Sequence, residues 1–77
     1  MAKKLPIANS IRRLRFEAAE MTQQLLAEKV GVTRQTILAI EAARYSPTLE
    51  LAFKIAEVFD KELGEVFQYL PSQDDSK

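Results

Sequence analysis

The chain has 77 residues, 47% of them hydrophobic, with no cysteine, no histidine and a formal net charge of zero. That length gives one small domain near the lower limit for folding without a staple, so the apolar residues must supply the stability, with dimerisation adding to it. The missing residue types exclude disulfides, thiolate metal sites, the usual zinc ligands and the commonest general base. An enzyme is therefore the poorest class for this chain, and no cofactor or metal is expected. No apolar run is long enough for a signal peptide or a membrane span, which predicts a cytoplasmic protein without a membrane partner.

Neutral overall, the chain is segregated by charge. Residues 1–44 carry eight Lys/Arg against four Glu, and residues 45–77 carry three Lys against seven Asp/Glu. A basic half and an acidic half fit one face made for phosphate and another kept away from it. A solvated surface that happens to be segregated has the same composition.

Residues 1–8 read as a short basic lead-in in which Pro6 biases Leu5 away from helix. Leu5 and Ile7 either pair as a short strand or pack onto a neighbour. A first helix is predicted from Asn9 or Ser10, both good N-caps, to about Glu20, with Ile7, Ile11, Leu14 and Ala18 on one apolar stripe. Phe16 lies off that stripe. Thr22 is the next N-cap candidate, and Leu26, Ala27 and Val30 form the buried side of a second helix that Gly31 ends. Thr33 suits the cap of a third helix over 34–42, with Val32 and Ile37 spaced as a hydrophobic staple.

Pro47 bars continuation and Thr48 caps a fourth helix over 49–59, apolar nearly all round and so expected at the centre. A short fifth helix over 61–68 presents Leu63, Val66 and Phe67, and Pro71 stops it. Residues 71–77 read as a disordered tail after a single domain over 9–70. Every predicted element is helical. Val66, Phe67, Tyr69 and Leu70 follow a core that is already full, which makes them the expected dimer surface.

The stretch 23–44, QQLLAEKVGVTRQTILAIEAAR, organises the rest. Counting Gln23 as the first position, a small residue (Ala27) stands fifth, Gly31 ninth, Ile37 fifteenth and Ile40 eighteenth. Two helices of about eight residues can cross closely only with a small residue at the contact and a tight turn between them. This four-part match is far more specific than any lone Gly or Ala.

These residues carry a resemblance. MTQ, LAEKVGVTRQTI and AIE, followed by RYSPTLELAFKIAEVF and EVFQY, resemble the Cro/C1-type (XRE family) helix-turn-helix transcriptional regulators over roughly residues 11–69. The resemblance implies an all-α, compact five-helix lambda-repressor-like DNA-binding domain with a central helix-turn-helix. It also implies a homodimer on a palindromic operator in double-stranded DNA, with the helix over 34–42 in the major groove. On the matching positions it sets Gln23 against a phosphate and turns Arg34 and Gln35 to base edges, where Arg matches guanine and Gln matches adenine. Thr33 and Thr36 would meet phosphates or bases, and Arg44 would anchor the backbone. Ala39 stands where relatives often carry a base-reading side chain and offers at most a methyl group to thymine.

The family often links its first and third helices through a partly buried Arg–Glu pair, and Arg15 and Glu41 fit. Two independent surface charges are the equal alternative, because the turn before Met21 is one residue longer than the common pattern. Leu25 and Leu38 replace residues that are commonly polar, either as stray exposed leucines or as part of a protein–protein surface. Ala42-Ala43 stands where a Lys/Asn-Gly pair often ends the third helix. Either Ala43 adopts the left-handed conformation, at about 1 kcal/mol relative to glycine, or the helix runs on.

The leading function is a sequence-specific transcriptional regulator, most simply a repressor, with no small-molecule ligand expected. The runner-up is an antitoxin-like or protein-interaction module of the same fold. Only six residues follow Pro71, too few to wrap a partner, which favours the regulator.

Overall fold

The computed structural model describes residues 5–70. The expectations for the tail and for the first four residues of the lead-in fall outside that range. The elements run β1 (Ile7–Asn9), α1 (Ile11–Glu17), α2 (Gln23–Val30), α3 (Arg34–Glu41), α4 (Leu49–Phe59), α5 (Leu63–Val66) and β2 (Phe67–Tyr69). Five helices agree with the all-α expectation, but the two ends of the domain add a small sheet. β1 and β2 are antiparallel, with Ile7 opposite Tyr69, Ala8 opposite Gln68 and Asn9 opposite Phe67.

Three of the five helices are capped alike. The hydroxyls of Thr22, Thr33 and Thr48 accept from the N–H groups of Leu25, Thr36 and Leu51, each satisfying one of the orphan donors of a first turn. α5 starts differently, with Glu62 and Glu65 forming a capping box.

Helix ends depend on the left-handed region. Gly31 (φ 81°) ends α2, and its N–H and that of Val32 both donate to the Ala27 carbonyl. Ala43 (φ 61°) ends α3 in the same hand, so the helix does not run on, and Arg44 N–H donates to the Ala39 carbonyl at 2.9 Å. Asp60 (φ 58°) does this for α4.

The first helix is shorter than predicted. It closes at Glu17, and Ala19 and Glu20 are both left-handed (φ 60° and 58°). The long turn before Met21 is the cause: an extra residue must be absorbed, and a hydrogen bond from Met21 N–H to the Arg15 carbonyl (2.8 Å) closes it. The fifth helix is also shorter, a single turn, because Phe67 leaves helical geometry (φ −124°, ψ 133°) to begin β2.

The core is one cluster whose fully buried side chains are Ile11, Leu26, Ile37, Ile40, Ile55 and Val66. Ala27 has no exposed surface, as expected at the crossing of α2 and α3. α4 packs on α2 and α5 through Leu51, Ala52, Ile55 and Ala56. Its periphery is less covered than an all-round apolar helix implies, because Leu49 (65% exposed) and Phe53 (54% exposed), one turn apart, face outward. Val66 lies in the core with no exposed surface and is therefore unavailable to a partner, contrary to its place in the expected dimer surface. The Val66 backbone is tied to the start of α1, where its carbonyl accepts from Ser10 N–H at 2.9 Å.

Candidate nucleic-acid interface

α3 owes its position to both of its faces. Ile37 and Ile40 are sealed in the core, so Arg34, Gln35 and Leu38 are left exposed on the opposite side. Residues three and four apart are neighbours on a helix, so these three make one continuous stripe. Thr33 is exposed beside its start, whereas Thr36 and Ala39 are half-buried at its flank. The Thr33 and Thr36 hydroxyls lie 3.1 Å apart. Whichever one donates, the hydrogen of the other is still free to meet a phosphate oxygen. Arg44 and Tyr45 are exposed just beyond the left-handed Ala43.

Arg15 and Glu41 form a bidentate pair. Arg15 Nε donates to Glu41 Oε2 at 2.6 Å and Nη2 to Oε1 at 3.1 Å, with side chains 16% and 11% exposed. Arg15 Nη1 also donates to the Met21 carbonyl at 2.8 Å, and Gln23 Nε2 donates to Glu41 Oε1 at 3.2 Å. One guanidinium thus ties α1, the long turn and the end of α3 together, and the carboxylate it holds orients Gln23. The arrangement explains how a five-residue turn without glycine keeps a fixed shape. Among the described residues no buried side-chain nitrogen or oxygen lacks a partner, so the network is closed.

Asn9 does more than cap a helix. Its Oδ1 accepts from Ile11 N–H (3.2 Å), while its Nδ2 donates to the Ile40 carbonyl (3.0 Å) and is 3.4 Å from the Glu41 carbonyl. Leu5 N–H donates to the Ala43 carbonyl at 3.2 Å. The strand end of the domain therefore adds a second donor to the Ile40 carbonyl, which already accepts from Ala43 N–H at 3.0 Å, and supplies one to the Ala43 carbonyl. No local sequence signal distinguishes this from an ordinary cap, since the partners lie some thirty residues away.

A second surface lies apart from this one. Ile7, Pro47, Leu49, Leu63, Phe67 and Tyr69 line an open, largely apolar groove of about 390 Å³. Of the residues expected at a dimer surface, Phe67 is half-buried in its wall, and Tyr69 (72%) and Leu70 (49%) are exposed. Leu49 of α4 and Leu63 of α5 also line it and lie outside the four residues expected at the dimer surface. Among the described residues there is no acidic or thiol cluster able to hold a metal ion, and no helix long and apolar enough to cross a membrane.

Two short helices crossing at a small residue, a glycine turn between them, and a second helix with one face sealed and one face exposed define a helix-turn-helix protein. The chain belongs to the helix-turn-helix family whose model (HTH_3, Helix-turn-helix) matches residues 11–66, the Cro/C1-type (XRE) group of DNA-binding transcriptional regulators. It is 53% identical over 49 residues to an uncharacterized HTH-type transcriptional regulator, MJ0272, of Methanocaldococcus jannaschii, a match covering 64% of this chain and 74% of that protein. It is 44% identical over 59 residues to the uncharacterized HTH-type transcriptional regulator YgzD of Bacillus subtilis, covering 77% of this chain and 88% of that one. In fold it is similar to the crystal structure of a proposed DNA-binding protein from Bacteroides fragilis. The TM-score is 0.71 at 24% identity, over 80% of this chain and 98% of the other.

Proposed function

We propose that this regulator is a cytoplasmic repressor that binds a palindromic operator as a homodimer, laying α3 in the major groove of each half-site. The observation that carries the reading is the stripe of Arg34 and Gln35 on a helix that is capped at Thr33 and anchored by Ile37 and Ile40. Arg34 presents a fork for guanine O6 and N7, and Gln35 presents a donor–acceptor pair for adenine. Around them Gln23, Thr33, Thr36 and Arg44 meet phosphates and fix the register. Neither cofactor nor metal has a part in this, and no catalytic step is involved.

The apolar groove supports the homodimer. Leu49 and Tyr69 at its rim are large apolar side chains left mostly in water. A second copy meeting the same surface would bury both and hold two recognition helices about one DNA turn, roughly 34 Å, apart. Sedimentation of the wild type and of Leu49→Asp tests this: a dimer is expected for the first and a monomer with weakened operator binding for the second. A wild type that is monomeric while bound to DNA would remove the dimer.

Selection of bound duplexes from a random pool tests the central claim. The expected result is a palindrome, with relaxed preference at one position of each half-site when the selection is repeated with Gln35→Ala. No enrichment at low salt would overturn the operator reading.

A further inference from the structure

The stripe of α3 has an apolar member. Leu38 follows Arg34 by one turn and Gln35 by three residues, and it is 37% exposed, whereas the neighbouring Ala39 is short and half-buried. Its isopropyl group therefore stands in the same surface as the two polar readers and reaches further than Ala39. A leucine there is ill matched to most of a major-groove floor, because it can satisfy no base nitrogen or oxygen. The apolar group that an unmodified base pair offers in that groove is the C5 methyl of thymine.

We propose that Leu38 is a specificity-determining residue that packs on thymine C5 methyl groups next to the bases met by Arg34 and Gln35. This rests on the operator reading above, in which α3 enters the major groove. A thymine at that place lets two hydrocarbon surfaces leave water together. A cytosine or guanine there sets a desolvated amino or carbonyl group against leucine without a hydrogen-bond partner, so those pairs are disfavoured. The half-site then has a polar part read by hydrogen bonds and an adjoining part read by methyl contact.

The test uses the duplex selected by the full-length wild-type protein, with each thymine replaced in turn by deoxyuridine, which keeps base pairing and removes only the methyl. The dissociation constants are measured for wild type and Leu38→Ala, with thermal melting as a control for folding. Wild type is expected to lose about fourfold for each methyl removed at one or two positions per half-site. Leu38→Ala is expected to melt like wild type, bind the thymine site more weakly and be indifferent to uracil at those positions. Equal sensitivity of both proteins would assign the contact to Ala39 or to DNA shape and overturn the proposal. A loss of self-association in Leu38→Ala, with uracil sensitivity unchanged, would also overturn it by placing Leu38 in a protein contact. Failure to select any site would end the operator reading and this inference together, which distinguishes the two failures.

Discussion

Ala43 occupies the left-handed region that a glycine normally fills at the end of such a helix, and Gly31 occupies the same region at the end of α2. The two invite opposite substitutions. Gly31→Ala meets no steric obstacle in space, since nothing lies within 4 Å of the added carbon, but it forces φ 81° on a residue with a side chain. It should lower stability by about 1 kcal/mol. Ala43→Gly relieves the same strain while increasing the freedom of the unfolded chain, so a gain of about 0.5–1 kcal/mol should remain. In a domain of this size 1 kcal/mol moves the melting temperature by about 4–8 °C, so calorimetry resolves both signs.

Glu41 is the other decisive residue. Its carboxylate accepts from Arg15 twice and from Gln23 once, at 11% exposure. Removing it strands a largely buried guanidinium, and Glu41→Ala should cost about 3 kcal/mol. It should also weaken operator binding by freeing Gln23, so unchanged melting together with unchanged affinity would show that the network does neither job. The sequence leaves this pair and two independent surface charges equally open, because the pair depends on the shape of a five-residue turn. The turn needs Ala19 and Glu20 in a region that neither residue favours.

Among the elements, legibility followed the distance over which each is determined. The three threonine caps, the glycine turn and the full span of α4 are local events, written in windows of four to eleven residues. The Ala27, Gly31, Ile37 and Ile40 spacing needed only one short stretch. β2 was hidden because FQY continues the apolar pattern of α5, and its strand geometry follows from a partner at the other end of the domain. Val66 was misplaced for the same reason: apolar residues near the end of a chain do not reveal which of them turns inward.

Asn9 belongs to this scale because it joins elements. Asn9→Asp keeps the oxygen that accepts from Ile11 but loses the donor to the Ile40 carbonyl and brings a negative charge to the negative end of the α3 dipole. A loss of about 2 kcal/mol is expected. Hydrogen exchange should rise first at the last turn of α3 rather than in α2. Uniform exchange across both helices would show that Asn9 has no particular hold on α3.

For the whole molecule, charge and contact number set the balance between specific and non-specific binding. The chain is formally neutral, with basic and acidic residues divided between its two halves. Counterion release scales with the phosphates neutralised, and the candidate interface offers few cations, principally Arg34 and Arg44. Random duplex should therefore be held weakly, and titrations at several salt concentrations should give a shallow slope compared with strongly basic repressors. A steep slope on random DNA would mean that the basic residues outside 5–70 or on α1 engage the duplex. Overall charge was legible in the sequence, but the apolar groove was not, since its walls come from β1, α4, α5 and β2.

The β1–β2 ribbon unites the two ends of the domain, and through Leu5 and Asn9 it also grips the end of α3. Pairing across so long an intervening chain closes a loop that spans nearly all of the described residues. Such contacts give no return until nearly all the intervening structure exists. The ribbon should accordingly be among the last features to assemble and the first to open. The far end of α3 then becomes fully ordered only when chain closure is complete. A population of molecules with intact helices but an open ribbon would be folded by circular dichroism and yet poor at binding, which makes the competence to read DNA a late event in folding rather than a property of the helix-turn-helix alone.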